Sequence, residues 1–176
     1  MDVLQWLLEP ENPSVRYRTL VELLDLGETP EAREAKRSIP ESLPVRKLLD
    51  AMHPDGYWLQ KDARTGLYRG DGVEYGSFGT THFCLSYCDD MTRDAFPVIW
   101  RTNIWEILYA LGRMGYGRDE RLKDAWHVLQ SRRLPDGRFV LDRTPAQSPW
   151  KIGKVGEPNK WLTLYGLLAE KHAGPV

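Results

Sequence analysis

The sequence predicts an all-α fold built from helical hairpins that repeat along the chain. Three observations predict it. Apolar residues recur at helical spacing nearly throughout, glycine and proline clusters punctuate the periodic stretches, and one helix–turn unit occurs twice.

At the N-terminus, Val3, Leu4, Leu7 and Leu8 mark a short opening helix, which Asn12-Pro13-Ser14 stops. Ser14 is the expected N-cap of a second helix, 14–26, with Val15, Leu20, Leu23 and Leu24 on its apolar face and Gly27 as its stop. Pro30 suits the first turn of a helix over 30–39, and Glu31 sits well near its positive end. A further helix, 42–52, carries Leu43, Val45, Leu48, Leu49 and Met52. Residues 53–75 read as irregular, with turn chemistry in His53-Pro54-Asp55-Gly56 and glycines at 66, 70 and 72. Helical spacing returns over 77–91 through Phe83, Leu85 and Tyr87, and Pro97 breaks the stretch after it. The clearest helix is 101–114, with Ile104, Ile107, Leu108, Leu111 and Met114 on one side and Gly115 and Gly117 after it. Asp119 is placed to cap 120–132, where Leu122, Ala125, Trp126 and Leu129 repeat. Pro135-Asp136-Gly137 is a turn, 138–157 reads as loop, and Glu157-Pro158-Asn159 opens a last helix carrying Trp161, Leu162, Leu164, Tyr165, Leu167 and Leu168.

The repeat joins these pieces. LeuLeuAspAlaMetHisProAspGlyTyrTrp at 48–58 and ValLeuGlnSerArgArgLeuProAspGlyArgPhe at 128–139 both end a helix in Pro-Asp-Gly followed by an aromatic, and the Asp-Gly pairs stand 81 residues apart. Upstream of each lies an apolar helix ending in glycine, LeuValGluLeuLeuAspLeuGly at 20–27 and IleLeuTyrAlaLeuGlyArgMetGly at 107–115. The unit is therefore helix, glycine stop, helix, Asp-Gly-aromatic turn.

This unit resembles the repeats of the α/α-toroid superfamily of terpenoid cyclases and protein prenyltransferase β-subunits, in which a Gln precedes an Asp-Gly-x-Trp or Phe turn. Gln130, Asp136, Gly137 and Phe139 match that pattern; Asp55, Gly56 and Trp58 match it without the Gln. More closely, AsnProSerValArgTyrArgThrLeu at 12–20 and GlyGluProAsnLysTrpLeuThrLeu at 156–164 resemble bacterial prenyltransferase-repeat proteins. The resemblance implies an α/α-toroid-like arc or partial barrel formed by the whole chain, 1–176, as one domain. Inner helices (14–26, 77–91, 101–114, 158–170) would converge on a concavity, and outer ones (30–39 with 42–52, and 119–132) would face solvent. The helices are fewer than the roughly six hairpins of a full toroid, which leaves an open arc, a compact reduced version, or half a ring closed as a homodimer.

Composition narrows the function classes. Apolar residues make up 41% and charged residues 28% of the 176, ordinary values for a globular protein. The 24 basic and 25 acidic residues leave a net charge of −1, which disfavours duplex nucleic acid as partner. No apolar run reaches the ~18 residues of a membrane span. The first residues show no secretory signal, and Cys84 and Cys88 read as reduced thiols, so a cytoplasmic setting is expected. Seven Trp and eight Tyr suit either an apolar ligand pocket or an aromatic core.

Chemistry is less clearly written. The Asp-x-Asp-Asp acid motif of toroid cyclases is missing, and Asp89, Asp90 and Asp94 resemble the magnesium motif of diphosphate-ionising isoprenoid enzymes only loosely, with no second acidic motif. Cys84 and Cys88 share one helical face while His82 and Asp89 lie on another, so the four cannot close one zinc site. A site from Cys84, Cys88 and a distant ligand such as His53 or His127 stays open, but neither a metal nor a cofactor is expected. The glycines at 66, 70, 72, 76 and 79 suggest a loop over the concavity, where Asp71 and Glu74 are candidate acid–base residues; His82 is a third catalytic candidate. N-terminal turns of inner helices would bring Arg16, Tyr17, Arg18, Tyr75, Thr81, His82, Arg101, Asn103, Trp105, Lys160 and Trp161 to one mouth. Arginines with helix N-termini suit an anion, and the tryptophans an apolar body. The expected function is thus binding, with or without turnover, of an apolar or isoprenoid-like molecule bearing an anionic group. The alternative is a non-catalytic repeat module for a protein partner, since ProSerValArg at 13–16 before an apolar helix also resembles a HEAT-type repeat.

Overall fold

A computed structural model of the chain describes residues 2–52, 54, 104–142 and 153–174. These residues are mostly helical and include no strand, as an all-α fold requires; two isolated bridges, Arg133 to Phe139 and Val140 to Pro158, each have one partner in the stretch 138–157 expected as loop.

Helix α1 (Val3–Leu7) starts where the Asp2 carboxylate accepts the Leu4 N–H. In α2 (Pro13–Arg18) the cap is Asn12, not Ser14. The Asn12 side chain accepts the Val15 N–H, Pro13 takes the first helical position where its missing N–H costs nothing, and Ser14 is buried inside the helix. The chain then widens into a π-helical turn, Thr19–Leu23, with Leu24 N–H on Thr19 O at 3.0 Å. Its exit is made by Asp25, at φ 56°, not by Gly27. Aspartate is among the few residues that visit this left-handed region readily.

Thr29 caps α3 (Pro30–Ser38), whose buried face is Ala32 and Ala35. These small side chains let α3 lie close to α2 and the π-helical turn, around Leu20, Tyr17, Val21 and Leu24. In α4 (Leu43–Asp50) Val45 is buried, while Leu43 and Leu49 are exposed. In α5 (Ile104–Arg113) the buried stripe is Trp105, Leu108, Tyr109 and Gly112, and Ile107 and Met114 face outward. The buried face is thus rotated from the expected one, because the two aromatics bury more area than the aliphatics they displace. Asp119 caps a 3-10 turn, Glu120–Leu122, that leads into α6 (Lys123–Ser131). The last helix, α7 (Lys160–Ala173), is capped by Asn159, whose side chain accepts the Leu162 N–H at 3.1 Å, and ends at Gly174.

Helix α7 is the centre of the main core. From Trp161 to Gly166 every residue is buried, as are Leu168 and Ala169, so this helix is enclosed on nearly all sides. Helix α5 packs along it, and Leu7 of α1, Val15 of α2, Leu129 of α6 and Phe139 close the cluster. Lys160 ties α7 to the N-terminal segment: its Nζ lies 2.7 Å from Glu9 Oε2 and 5.4 Å from the centre of the Trp6 ring, which Arg138 also covers.

The second copy of the repeated turn now has a mechanical meaning. Asp136 accepts the Arg138 N–H, and Gly137 holds φ 86°, a conformation that side chains resist. This turns the chain so that Phe139 enters the core fully buried. Its N–H donates to Thr163 Oγ1 at 2.9 Å, and its C=O accepts the Asn159 N–H at 2.9 Å. The ring lies on Gly166, where an added Cβ would come 2.5 Å from Cε2. Gly166→Ala is therefore expected to destabilise the protein by about 2 kcal/mol, the cost of overpacking less the gain in helix propensity. Urea denaturation checks this, and a neutral or stabilising result contradicts the close approach. The first copy, Asp55, Gly56 and Trp58, lies outside the described residues.

Candidate functional site

Two polar assemblies flank the last turn of α7. The first is buried. Arg18, only 1% exposed, donates Nε to Glu22 Oε1 and Nη2 to Glu22 Oε2, one helical turn on, and Nη1 to the Tyr165 hydroxyl at 2.9 Å. Its guanidinium also lies over the Tyr165 ring, 5.0 Å from the centre. Burial pushes the Arg18 pKa down, but the bonds and charges of Glu22 and Tyr165 outweigh it and the net shift is upward. Arg18 is a fixed cation at all working pH.

Tyr109 extends this network from α5. Its hydroxyl donates to Glu22 Oε2 at 2.9 Å and accepts Arg113 Nη1 at 3.2 Å. Burial first, then the Glu22 charge, raises its pKa. Lys171 closes the assembly by donating to the Glu22 carbonyl oxygen at 2.7 Å and to Asp25 Oδ2 at 2.6 Å. The π-helical turn is thus gripped by side chains from α5 and α7. Such turns recur at functional sites. Here, the turn presents the Glu22 carboxylate to Arg18 and Tyr109 and its carbonyl to Lys171.

The second assembly is an open cleft of about 710 Å³ between the loop Gly117–Glu120, α6 and the end of α7. Gly117 lets that loop touch α7, since a Cβ there would meet Ala173 Cα at 2.8 Å. Trp126 donates Nε1 to Gly117 O at 2.8 Å, which fixes its indole along the cleft. Arg118 Nε donates to Ala173 O at 2.8 Å, and its guanidinium lies against Gly174. Lys123 and His127, four residues apart on α6, line the same cleft. Asp119 is bound by Arg121, which holds its carboxyl down at about 2. Gln130 and Arg133 both donate to Glu170 Oε1, at 2.7 and 2.8 Å, which compensates that carboxylate. The lining therefore combines an indole and the Ala173 methyl with the nitrogen-rich side chains of Arg118, Lys123, His127 and Gln130 and the carboxylates of Asp119 and Glu120.

The expected site residues do not gather here. Trp105 and Trp161 are brought together, but inside the main core, where Trp105 stacks edge-on to Phe139 at 6.4 Å. Tyr17 belongs to the smaller cluster beside α3, with Lys36 over its ring. Arg16 is half-buried on α2, and Lys160 is paired with Glu9. Asp71, Glu74, Tyr75, Thr81, His82, Arg101 and Asn103 lie outside the described residues, as do Cys84, Cys88, Asp89, Asp90 and Asp94. Among the described residues no three His, Cys, Asp or Glu side chains gather to hold a metal ion, and no helix is long and apolar enough to cross a membrane. The sequence reading missed Glu22, Tyr109, Trp126 and Lys123 as site residues, and had His127 only as a distant metal ligand. Their only local signal is the four-residue spacing of Arg18 with Glu22, Tyr109 with Arg113, and Lys123 with His127.

Comparison with protein-family models, with curated proteins and with solved structures finds no match for this chain.

Proposed function

We propose that the chain binds a small molecule with an apolar body and an anionic group, of isoprenoid-like character, and that the cleft between α6 and α7 is where it binds. The observation that carries this reading is the lining of that cleft: the Trp126 indole, with Arg118, Lys123 and His127 around it. Its volume of about 710 Å³ suits a ligand of drug or metabolite size. Arg118 and Lys123 beside an aromatic wall, with the Asp119 carboxylate already bound by Arg121, favour an anionic head on an apolar tail. The toroid-like arrangement implied by the resemblance belongs to this proposal and is supported by the repeat in the sequence.

The test is calorimetric titration with farnesyl diphosphate and with decanoate, on the wild-type chain and on Lys123→Glu and His127→Glu. Both positions are exposed, so the fold should tolerate the changes. Binding of either compound, weakened at least tenfold in each variant, is the expected result. No heat with either compound, or equal affinity in the variants, overturns the reading.

A further inference from the structure

Helix α5 is apolar on two sides. It packs along α7 with Trp105, Leu108, Tyr109 and Gly112 buried. On its other side Ile107, Ala110 and Met114 are exposed and Leu111 is half-buried. These four stand at i, i+3, i+4 and i+7, so they form one stripe along the helix, where a surface helix ordinarily carries polar residues. Helix α6 packs beside α5 and has two flanks. Lys123, Trp126, His127 and Gln130 line the cleft, on the flank toward the end of α7. Helical spacing puts Asp124, Val128 and Arg132 on the opposite flank, at i, i+4 and i+8, and all three are exposed. That flank, turned from α7, borders the α5 stripe. Its two charges are opposite in sign and equally spaced from Val128. Asp124 has no ion-pair partner among the described residues. Arg132 pairs with Asp142 at 3.8 Å, a long and exposed contact that leaves guanidinium N–H groups to spare.

We propose that this face of α5 and α6 is where two copies of the chain pair, about a two-fold axis that crosses α5 at Ala110–Leu111 and α6 at Val128. In a two-fold contact the same patch serves both copies, and here each helix meets its own copy running antiparallel. Asp124 then faces the partner's Arg132, and Arg132 faces the partner's Asp124. On α5, Ile107 faces the partner's Met114, and Met114 the partner's Ile107. One axis satisfies both patterns, because the midpoint of 107 and 114 and that of 124 and 132 lie side by side in an antiparallel hairpin. The charges also speak against a lipid occupant. An anionic membrane surface selects a basic rim, whereas this rim has one acid for one base. Four apolar side chains on α5 and one on α6 cover less than the about 800 Å² per partner of a standard interface, so the pairing is reversible and micromolar. It leaves the cleft on the other flank of α6 open.

The readout needs no ligand, so this inference stands or falls apart from the binding reading. Sedimentation velocity is measured on the wild-type chain from about 1 to 200 µM, where a monomer–dimer equilibrium is expected. Asp124→Arg sets arginine against arginine at both contacts, and Arg132→Asp sets aspartate against aspartate. Each variant alone should pair at least tenfold more weakly than wild type. Mixed one to one, the two variants should pair at least as tightly as wild type, because the mixed dimer restores opposite charges at both contacts. Both positions are exposed, so the fold should tolerate the changes. A wild-type chain that stays monomeric throughout, a dimer indifferent to either reversal, or a mixture that pairs no better than its components overturns the proposal. Should a reversal not fold, Met114→Lys decides, since Met114 is 67% exposed: loss of the dimer supports the proposal and unchanged pairing contradicts it.

Discussion

Phe139→Ala is expected to lose about 3–5 kcal/mol, the range for deleting a fully enclosed aromatic ring. The site cannot relax to fill the space. Opposite the ring is Gly166, with no side chain to move in, and on its edge is Trp105, already buried and 6.4 Å away. The backbone around the ring is held as well, by Thr163 Oγ1 on one side of the residue and the Asn159 N–H on the other. A cavity left beneath the central helix weakens every element packed on it. Since a domain of this size has about 5–15 kcal/mol in total, the variant should unfold at a much lower urea concentration with an unchanged slope. A loss under about 1.5 kcal/mol would mean that Phe139 does not plug the core. The double variant Gly166→Ala with Phe139→Leu should lose less than the two single losses combined, because the smaller side chain relieves the clash that the alanine creates.

Arg18→Met is expected to cost about 3 kcal/mol, chiefly through what it leaves behind. The Glu22 carboxylate would lose its bidentate partner while staying largely enclosed, and the Tyr165 hydroxyl would lose its donor. The contrasting prediction is the double variant Arg18→Met with Glu22→Leu. Removing both charges abolishes the unpaired carboxylate and should restore most of the loss, as is usual when a buried ion pair is replaced whole. Thermal or urea unfolding of the two variants and of Glu22→Leu alone gives the coupling directly. Additive losses would show that Arg18 and Glu22 act independently and that the network does not hold the π-helical turn.

Much of the fold was legible in the sequence, and what was legible was local. Among the described residues, spacing at 3.6 residues located the helices to within a few residues, and Pro30, Asp119 and Gly137 stand at the boundaries expected of them; the helix expected over 77–91 lies outside the described residues. The misplaced boundaries are instructive. Asn12 and Ser14 are both good caps, and Asn12 takes the role because Pro13 must occupy the first turn. Gly27 is the better left-handed residue, yet the chain turns earlier at Asp25, where Lys171 binds the carboxylate. That partner is 146 residues away, and no local rule refers to it.

The same division runs through the candidate site. Trp105 and Trp161 announced aromatic burial but not what they would face; they face each other's cluster in the core, and Trp126, read as a simple helix-face residue, lines the cleft. Arg18 stood among the expected mouth residues, but its burial depends on Tyr165, 147 positions on, and the ordering of Glu22 depends on Tyr109, 87 positions on. By itself the sequence determined the helical class, the turn that inserts Phe139, and the absence of a long apolar span among the described helices. These rest on the backbone's own periodicity and on neighbours a turn or two away. The tertiary structure alone decided which aromatics pack inside, which charges are buried as partners, and where an open cleft lies. Those outcomes depend on groups distant in the chain meeting at one end of α7, where desolvation makes each polar atom's partner matter.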